Sequence, residues 1–162
     1  MRAWLRDGFY GGVSVALLAA LFLVWLWRPE HQVKLHTANL LHAVSHKNWP
    51  RFAAMIGDDY RDQWDNNQAS VLERTREVFR YLNGVTFQSV APSVRLEDRD
   101  AYWRANILID GNDSEVMAVV KERINTLNSP FELEWRRMSA KPWDWKLVRV
   151  RNEQLTIPAG VE

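Results

Sequence analysis

Trp143-Asp144-Trp145-Lys146-Leu147-Val148-Arg149-Val150 sets apolar Trp143, Trp145 and Leu147 against charged Asp144 and Lys146. Alternation with a period of two marks a strand with one buried face. Here it leads a last strand that runs through Val148, Arg149, Val150 and Arg151. Residues 139–142 end in Pro142 and read as the turn before it. Upstream, residues 131–137 alternate in the same way, with Phe131, Leu133 and Trp135 on one face and Glu132, Glu134 and Arg136 on the other. Antiparallel pairing of the two strands would set Glu132 and Glu134 against Lys146, Arg149 or Arg151, a favourable cross-strand arrangement.

Further back, residues 101–109 place Ala101, Trp103, Ala105, Ile107 and Ile109 on one face and Tyr102, Arg104, Asn106 and Leu108 on the other. Asp110-Gly111-Asn112-Asp113 is a hairpin signal. Residues 115–127, rich in Val116, Val119, Val120 and Ile124, therefore read as the return strand, with its register open and a helix also compatible with the pattern. Residues 96–100 form a polar turn, preceded by a first strand that joins Val85-Thr86-Phe87 to Val94-Arg95-Leu96 across Ala91-Pro92.

Before Gly84 the period is that of helices. Val33, Leu40, Leu41 and Val44, with Thr37 on the same side, make residues 30–47 the first of them in the soluble part. Asn48-Trp49-Pro50 breaks it, and a short helix over residues 51–56 stops at Gly57 as a C′ residue. The third carries the stripe Val71, Leu72, Val78, Phe79 and Leu82, with Asn67 or Ser70 as cap and Gly84 as terminator. Its other face holds the pairs Glu73–Arg76 and Glu77–Arg80 and is solvated.

Helices followed by four or five antiparallel strands make an α+β pattern. The element order, the Asp110-Gly111 turn and the closing residues 143–150 resemble the NTF2-like (SnoaL-like) superfamily over residues 30–157, in which a curved antiparallel sheet wraps about three helices as a cone. A cystatin-like fold, one helix on a sheet, is the alternative and leaves two helices without a place. Relatives with the NTF2-like fold include ketosteroid isomerase and scytalone dehydratase, which place Asp, Tyr or His inside the cone. For such a role this chain offers Asp58, Asp59, Tyr60, Tyr102, Asp110 and His36. No pair of them matches a family catalytic motif, so no catalytic residue is assigned.

Residues 8–27, GFYGGVSVALLAALFLVWLW, carry no charge. As a helix they would reach roughly 30 Å, the thickness of a bilayer's hydrocarbon core. Trp4 and Tyr10 near one end and Trp25 and Trp27 at the other suit the two interfaces, and Arg2, Arg6 and Arg28 bound the segment. A cleaved signal peptide would need small residues just after the apolar run; Val24-Trp25-Leu26-Trp27 supplies none, which favours an uncleaved signal-anchor. The layout expected is a cytoplasmic tail 1–7, a transmembrane helix 8–27, the NTF2-like domain 28–157 and a tail 158–162. Arg2 and Arg6 slightly favour a cytoplasmic N-terminus, which puts the domain on the periplasmic side of a bacterial inner membrane. Gly8, Gly12, Ala16 and Ala20 form a small-residue stripe through which two copies could pack. One span joined to such a domain is similar in architecture to the membrane-anchored periplasmic components of type IV secretion systems.

The whole chain has 162 residues, with 21 Lys+Arg against 20 Asp+Glu, no Cys and nine Trp. Missing cysteines exclude disulfides, thiolate metal centres and Cys nucleophiles. Residues 1–27 hold Arg2, Arg6 and Asp7, so the 21 and 20 become 19 and 19 in the remainder. A neutral domain is not expected to bind nucleic acid by counterion release, nor to hold a membrane by charge. His42 and His46 lie four apart on a helix, but two ligands make no metal site, and no metal or cofactor is expected. Asn112-Asp113-Ser114 matches a glycosylation triplet by chance in a chain that reads as bacterial.

The aromatic residues are expected mainly to fill the space between sheet and helices. A sharper expectation is a cone-shaped apolar pocket lined by Tyr60, Trp64, Tyr102, Trp103, Arg104, Asn106, Trp135, Trp143 and Trp145. Two functions follow. One is a single-pass, membrane-anchored binding or scaffold domain, accessory to a membrane assembly, with protein partners or a second copy on the helix stripe or sheet face. The other is a small-molecule binder, or a lyase or isomerase, that uses the cone interior.

Overall fold

The computed structural model describes residues 15–156. Residues 15–26 are helical (α1), followed by α2 (Pro29–Ser45), α3 (Trp49–Met55), α4 (Gln68–Arg80), β1 (Thr86–Glu97), β2 (Asp100–Asp110), α5 (Glu115–Asn125), β3 (Phe131–Arg137) and β4 (Trp145–Arg151). The four strands form one antiparallel sheet in the order β1-β2-β3-β4. Helix α2 packs on β1 and β2, α3 joins α2, α4 and β4, and α5 lies on β2. The core fills the space between them.

Each of helices α2 to α5 begins where a side-chain oxygen accepts from a free N–H of the first turn or a proline removes that donor. Pro29 and Pro50 sit in first turns. Asn48 and Asn67 accept the amides of Arg51 and Ser70 at 3.2 and 2.9 Å. The α4 stripe is narrower than the spacing suggests: Phe79 and Leu82 are buried, but Val78 is exposed. Gly57 does stand at the C′ position after α3, as expected, but not in the left-handed conformation of a glycine cap, and Gly84 does not end α4. Helix α3 passes into an extended Ile56, because Gly57 N–H donates to the Leu147 carbonyl (2.9 Å) and draws the chain along β4. Helix α4 ends at Arg80, and Gly84, at φ +60°, turns the chain into β1 four residues later.

The segment after Gly57 continues beside β4. Arg61 N–H donates to Val148 O at 3.0 Å, so the free edge of the last strand is partly covered by coil. The opposite edge, β1, carries Ala91 at φ 52° and Pro92 in a bulge between Val90 and Ser93. The one extra residue reverses the alternation, so that Phe87 and Val94, one odd and one even, both pack against the core.

The inner faces of β2 and β3 are as expected: Ala101, Trp103, Ala105, Ile109, Phe131, Leu133 and Trp135 are buried. Strand β4 starts at Trp145, so Trp143 belongs to the preceding loop. On the outer face Glu132 pairs in register with Arg151 and Glu134 with Arg149.

The return strand expected at 115–127 is a helix. Ser114 Oγ accepts the amide of Met117 at 3.1 Å, and Met117, Val120 and Ile124 turn toward the core while Val116 and Val119 face out. Gly111 is no hairpin residue; a Cβ there would run into Met117 Cε and stand 3.2 Å from the Asn83 carbonyl. The Asn125 side chain stands in for a neighbouring strand, accepting from Ile109 N–H at 2.8 Å and donating to Ile109 O at 3.0 Å.

Of the expected membrane helix 8–27, residues 8–14 lie outside the described residues, as do Gly8 and Gly12, the tail 1–7 and the C-terminal residues 157–162. Among the described residues no helix is long and apolar enough to cross a membrane. Ala16 and Ala20 lie exposed on α1, as do Leu17, Leu18, Leu21, Phe22 and Val24.

Candidate functional site

The nine expected pocket residues divide into three groups. Tyr60, Trp103, Trp135 and Trp145 lie in one buried cluster with Leu133, Leu147 and Phe52. Tyr102, Arg104 and Asn106 sit on the other side of the sheet, because neighbouring residues of a strand point to opposite faces. They cannot line the interior together with Trp103. Trp64 and Trp143 stand outside the cluster: Trp64 Nε1 donates to Leu155 O at 3.0 Å, and Trp143 is 53% exposed.

The interior is packed with aromatic rings. Surface grooves of about 310 to 470 Å³ are present, but none of these is lined by Tyr60, Trp103, Trp135 or Trp145. Among the described residues, two buried side-chain atoms in it lack a hydrogen-bond partner, Thr37 Oγ1 and Trp135 Nε1.

The candidate acids and bases do not converge. Tyr60 O–H donates to Asp62 Oδ2 at 3.3 Å, and burial, reinforced by the Asp62 charge, drives its pKa well above the usual phenol range. Asp62, which the sequence pattern did not single out, also accepts the amides of Trp64 and Asn66 and the Asn66 side chain, each at 2.9 Å. Its carboxylate holds a loop together. Asp59 pairs with Arg136 at 2.5 Å and Asp110 with Lys121 at 2.7 Å. The Lys121 hydrogen bond, with one from Gly111, lowers the Asp110 pKa. Asp58 is exposed, its carboxylate 3.4 Å from the Gln68 side chain.

Strand register sets the outer face. Arg136 bridges Asp100 at 2.9 Å and Asp59, and its pKa is raised chiefly by the Asp100 hydrogen bond. Glu134, nearly buried, lies 3.5 to 3.9 Å from Arg136, Arg149 and Arg151. These pairs compensate one another, which leaves no cluster of one sign to attract a charged ligand. His42 and His46 stack with ring centroids 3.9 Å apart, and no group of three or more possible ligands stands ready for a metal among the described residues.

One cluster remains, where α1 meets the domain. Trp27 lies 6.3 Å from Trp143, ring centroid to centroid, and Trp25 lies 4.3 Å from His31. His36 Nε2–H donates to the Trp143 carbonyl at 3.0 Å. Burial holds the His36 pKa below the usual imidazole value, against the opposing effect of that hydrogen bond. Gln32, buried, donates from Nε2 to Leu26 O at 2.8 Å and satisfies a carbonyl at the end of α1.

No family model and no curated protein matches this sequence. Solved structures do match its fold. An NTF2-like protein from Pseudomonas putida aligns with a TM-score of 0.58 at 14% identity, covering 82% of this chain and 89% of that one. The fold is NTF2-like. A candidate ketosteroid isomerase from Shewanella frigidimarina aligns with a TM-score of 0.57 at 9% identity, over 75% and 94% of the two chains. Bdellovibrio bacteriovorus Bd1075 aligns at 0.59 and 5% identity over 76% of this chain, which spans only 40% of that protein. At such identities the NTF2-like likeness concerns architecture and carries no activity with it.

Proposed function

We propose that this chain is a single-pass membrane protein whose NTF2-like domain works by binding, as an accessory or scaffold in a membrane-associated assembly. The observation that carries the anchor is α1, whose Leu17, Leu18, Leu21, Phe22 and Val24 are all exposed while the core of the same chain is closed. Uncovered apolar surface of this extent calls for a nonpolar environment. The uncharged sequence of residues 8–27 is long enough to reach across one. The packed interior and the dispersed acids and bases favour binding over catalysis. The weak charge bias of the N-terminus favours a cytoplasmic tail and a periplasmic domain. Ala16 and Ala20 of the small-residue stripe are free to take part in a helix dimer.

Alkaline washing of membranes from cells expressing the full chain tests the anchor. The chain is expected to stay with the membranes, and a variant lacking residues 1–27 to leave them. Release of the full chain by the wash would overturn the reading. A reporter active only outside the cytoplasm, fused after Glu162, is expected to be active, and a stable but inactive fusion reverses the orientation.

A second reading has one observation behind it. The unpartnered Thr37 Oγ1 and Trp135 Nε1 inside the cone would be satisfied by a small ligand or water. If the chain binds an apolar molecule with a polar end, mass spectrometry of solvent extracts should recover it from wild type and not from Thr37→Val. Equal or no recovery removes this reading.

A further inference from the structure

We propose that the NTF2-like domain rests directly on the bilayer, with the loop between β3 and β4 inserted at the lipid headgroup level beside Trp27. This inference rests on the membrane-anchored reading and names the surface of the domain that meets lipid. Its first support is the shortness of the junction. Only Trp27 and Arg28 separate α1 from α2, and both are tied: Trp27 N–H donates to Leu23 O at 2.9 Å and Arg28 N–H to Trp25 O at 3.2 Å. Gln32 Nε2 closes the same corner on Leu26 O. A long flexible tether would leave the domain's height above the membrane undetermined, and this one does not.

The second support is continuity. If Trp27 marks the interface, the ring of Trp143, 6.3 Å away, lies near the same level. The loop that carries Trp143 is held in place: Met138 N–H donates to Asp144 O at 2.9 Å, Trp145 Nε1 to Pro142 O at 2.8 Å, and His36 to Trp143 O. Yet the Trp143 and Met138 side chains are about half exposed, unlike the aromatic residues of the core. Exposed cations accompany them, Arg28 next to Trp27 and Lys141 two residues before Trp143. A tryptophan with a neighbouring cation is the side-chain chemistry of a phospholipid headgroup layer.

The cysteine-free sequence allows a clean test on the full chain. Met138→Cys and Asn112→Cys would each carry one bimane label in vesicles of phosphatidylcholine and phosphatidylglycerol. Asn112 meets Asn83, which binds Lys47 just past the far end of α2. That helix has 17 residues, so its far end stands about 25 Å from the junction. The label at 138 is expected to lose emission to a lipid-borne nitroxide and to resist aqueous iodide, and the label at 112 to do the reverse. Trp143→Ala in the Met138→Cys chain should reduce the nitroxide quenching while the protein still floats with the vesicles. Protein that floats while both labels respond equally to iodide overturns the docking and leaves the anchor standing. Protein that does not float overturns both.

Discussion

Two groups of tryptophans in this chain have opposite surroundings. Trp103, Trp135 and Trp145 are buried between sheet and helices, whereas Trp25, Trp27 and Trp143 are exposed together where α1 joins the domain. The difference lies in what surrounds each ring: the first three meet side chains of their own domain, whereas Trp27 and Trp143 meet each other, Trp25 meets Phe22 and His31, and all three are about half exposed. Core rings contribute by area removed from water and by close packing. Junction rings have little of either within the chain, and their role has to be sought in what lies outside it.

The strongest way to break this contrast is to truncate one residue of each kind. Trp135→Ala should cost about 3–5 kcal/mol of unfolding free energy, the range for removing a large buried aromatic, as read by urea unfolding in detergent. Trp135→Phe should cost less, since Nε1 has no hydrogen bond to lose. A Trp135→Ala chain as stable as wild type would show that the ring is not part of the core.

Trp143→Ala should change unfolding free energy in detergent by less than about 1 kcal/mol, because the ring is half exposed and the backbone carbonyl that His36 binds is retained. A loss as large as that of Trp135→Ala would make the junction a second core and weaken the contrast.

The smallest effect is a slope with pH. Burial lowers the His36 pKa, Lys146 acts in the same direction, and the Trp143 hydrogen bond and Asp144 oppose them. As pH falls below about 6.5 the unfolded chain takes up this proton before the folded one, so stability declines until folded His36 is itself protonated. His36→Gln should remove that part of the decline, measured as the difference between the two pH profiles. Parallel profiles would show that the imidazole is not held neutral by the fold.

Much of the sheet was legible in the sequence because its signals are local. Alternation placed Trp103, Leu133 and Trp135 inward and set Glu132 and Glu134 against Lys146, Arg149 or Arg151; the register then chose Arg151 and Arg149 and gave Lys146 to Arg136. Helix α5 was harder to read, since β-branched Val116, Val119 and Val120 fit a strand as well as a helix. The arbiters were Ser114 as a cap and the packing of Met117 under Gly111, of which only the first could have been seen beforehand. The expected pocket mixed residues from both faces of β2, and alternation alone was enough to separate them.

The sequence by itself determined the uncharged run of residues 8–27, the neutral remainder and the inward faces of the long strands, since composition and period two are properties of the chain as written. Only the tertiary structure decided that Tyr60, Trp103, Trp135 and Trp145 join one buried cluster, that Asp59 and Asp110 are engaged by Arg136 and Lys121, and that Trp27 meets Trp143. Each of these depends on residues from different segments arriving at one place, 11 residues apart for Asp110 and Lys121 and 77 for Asp59 and Arg136, and no local period encodes that meeting.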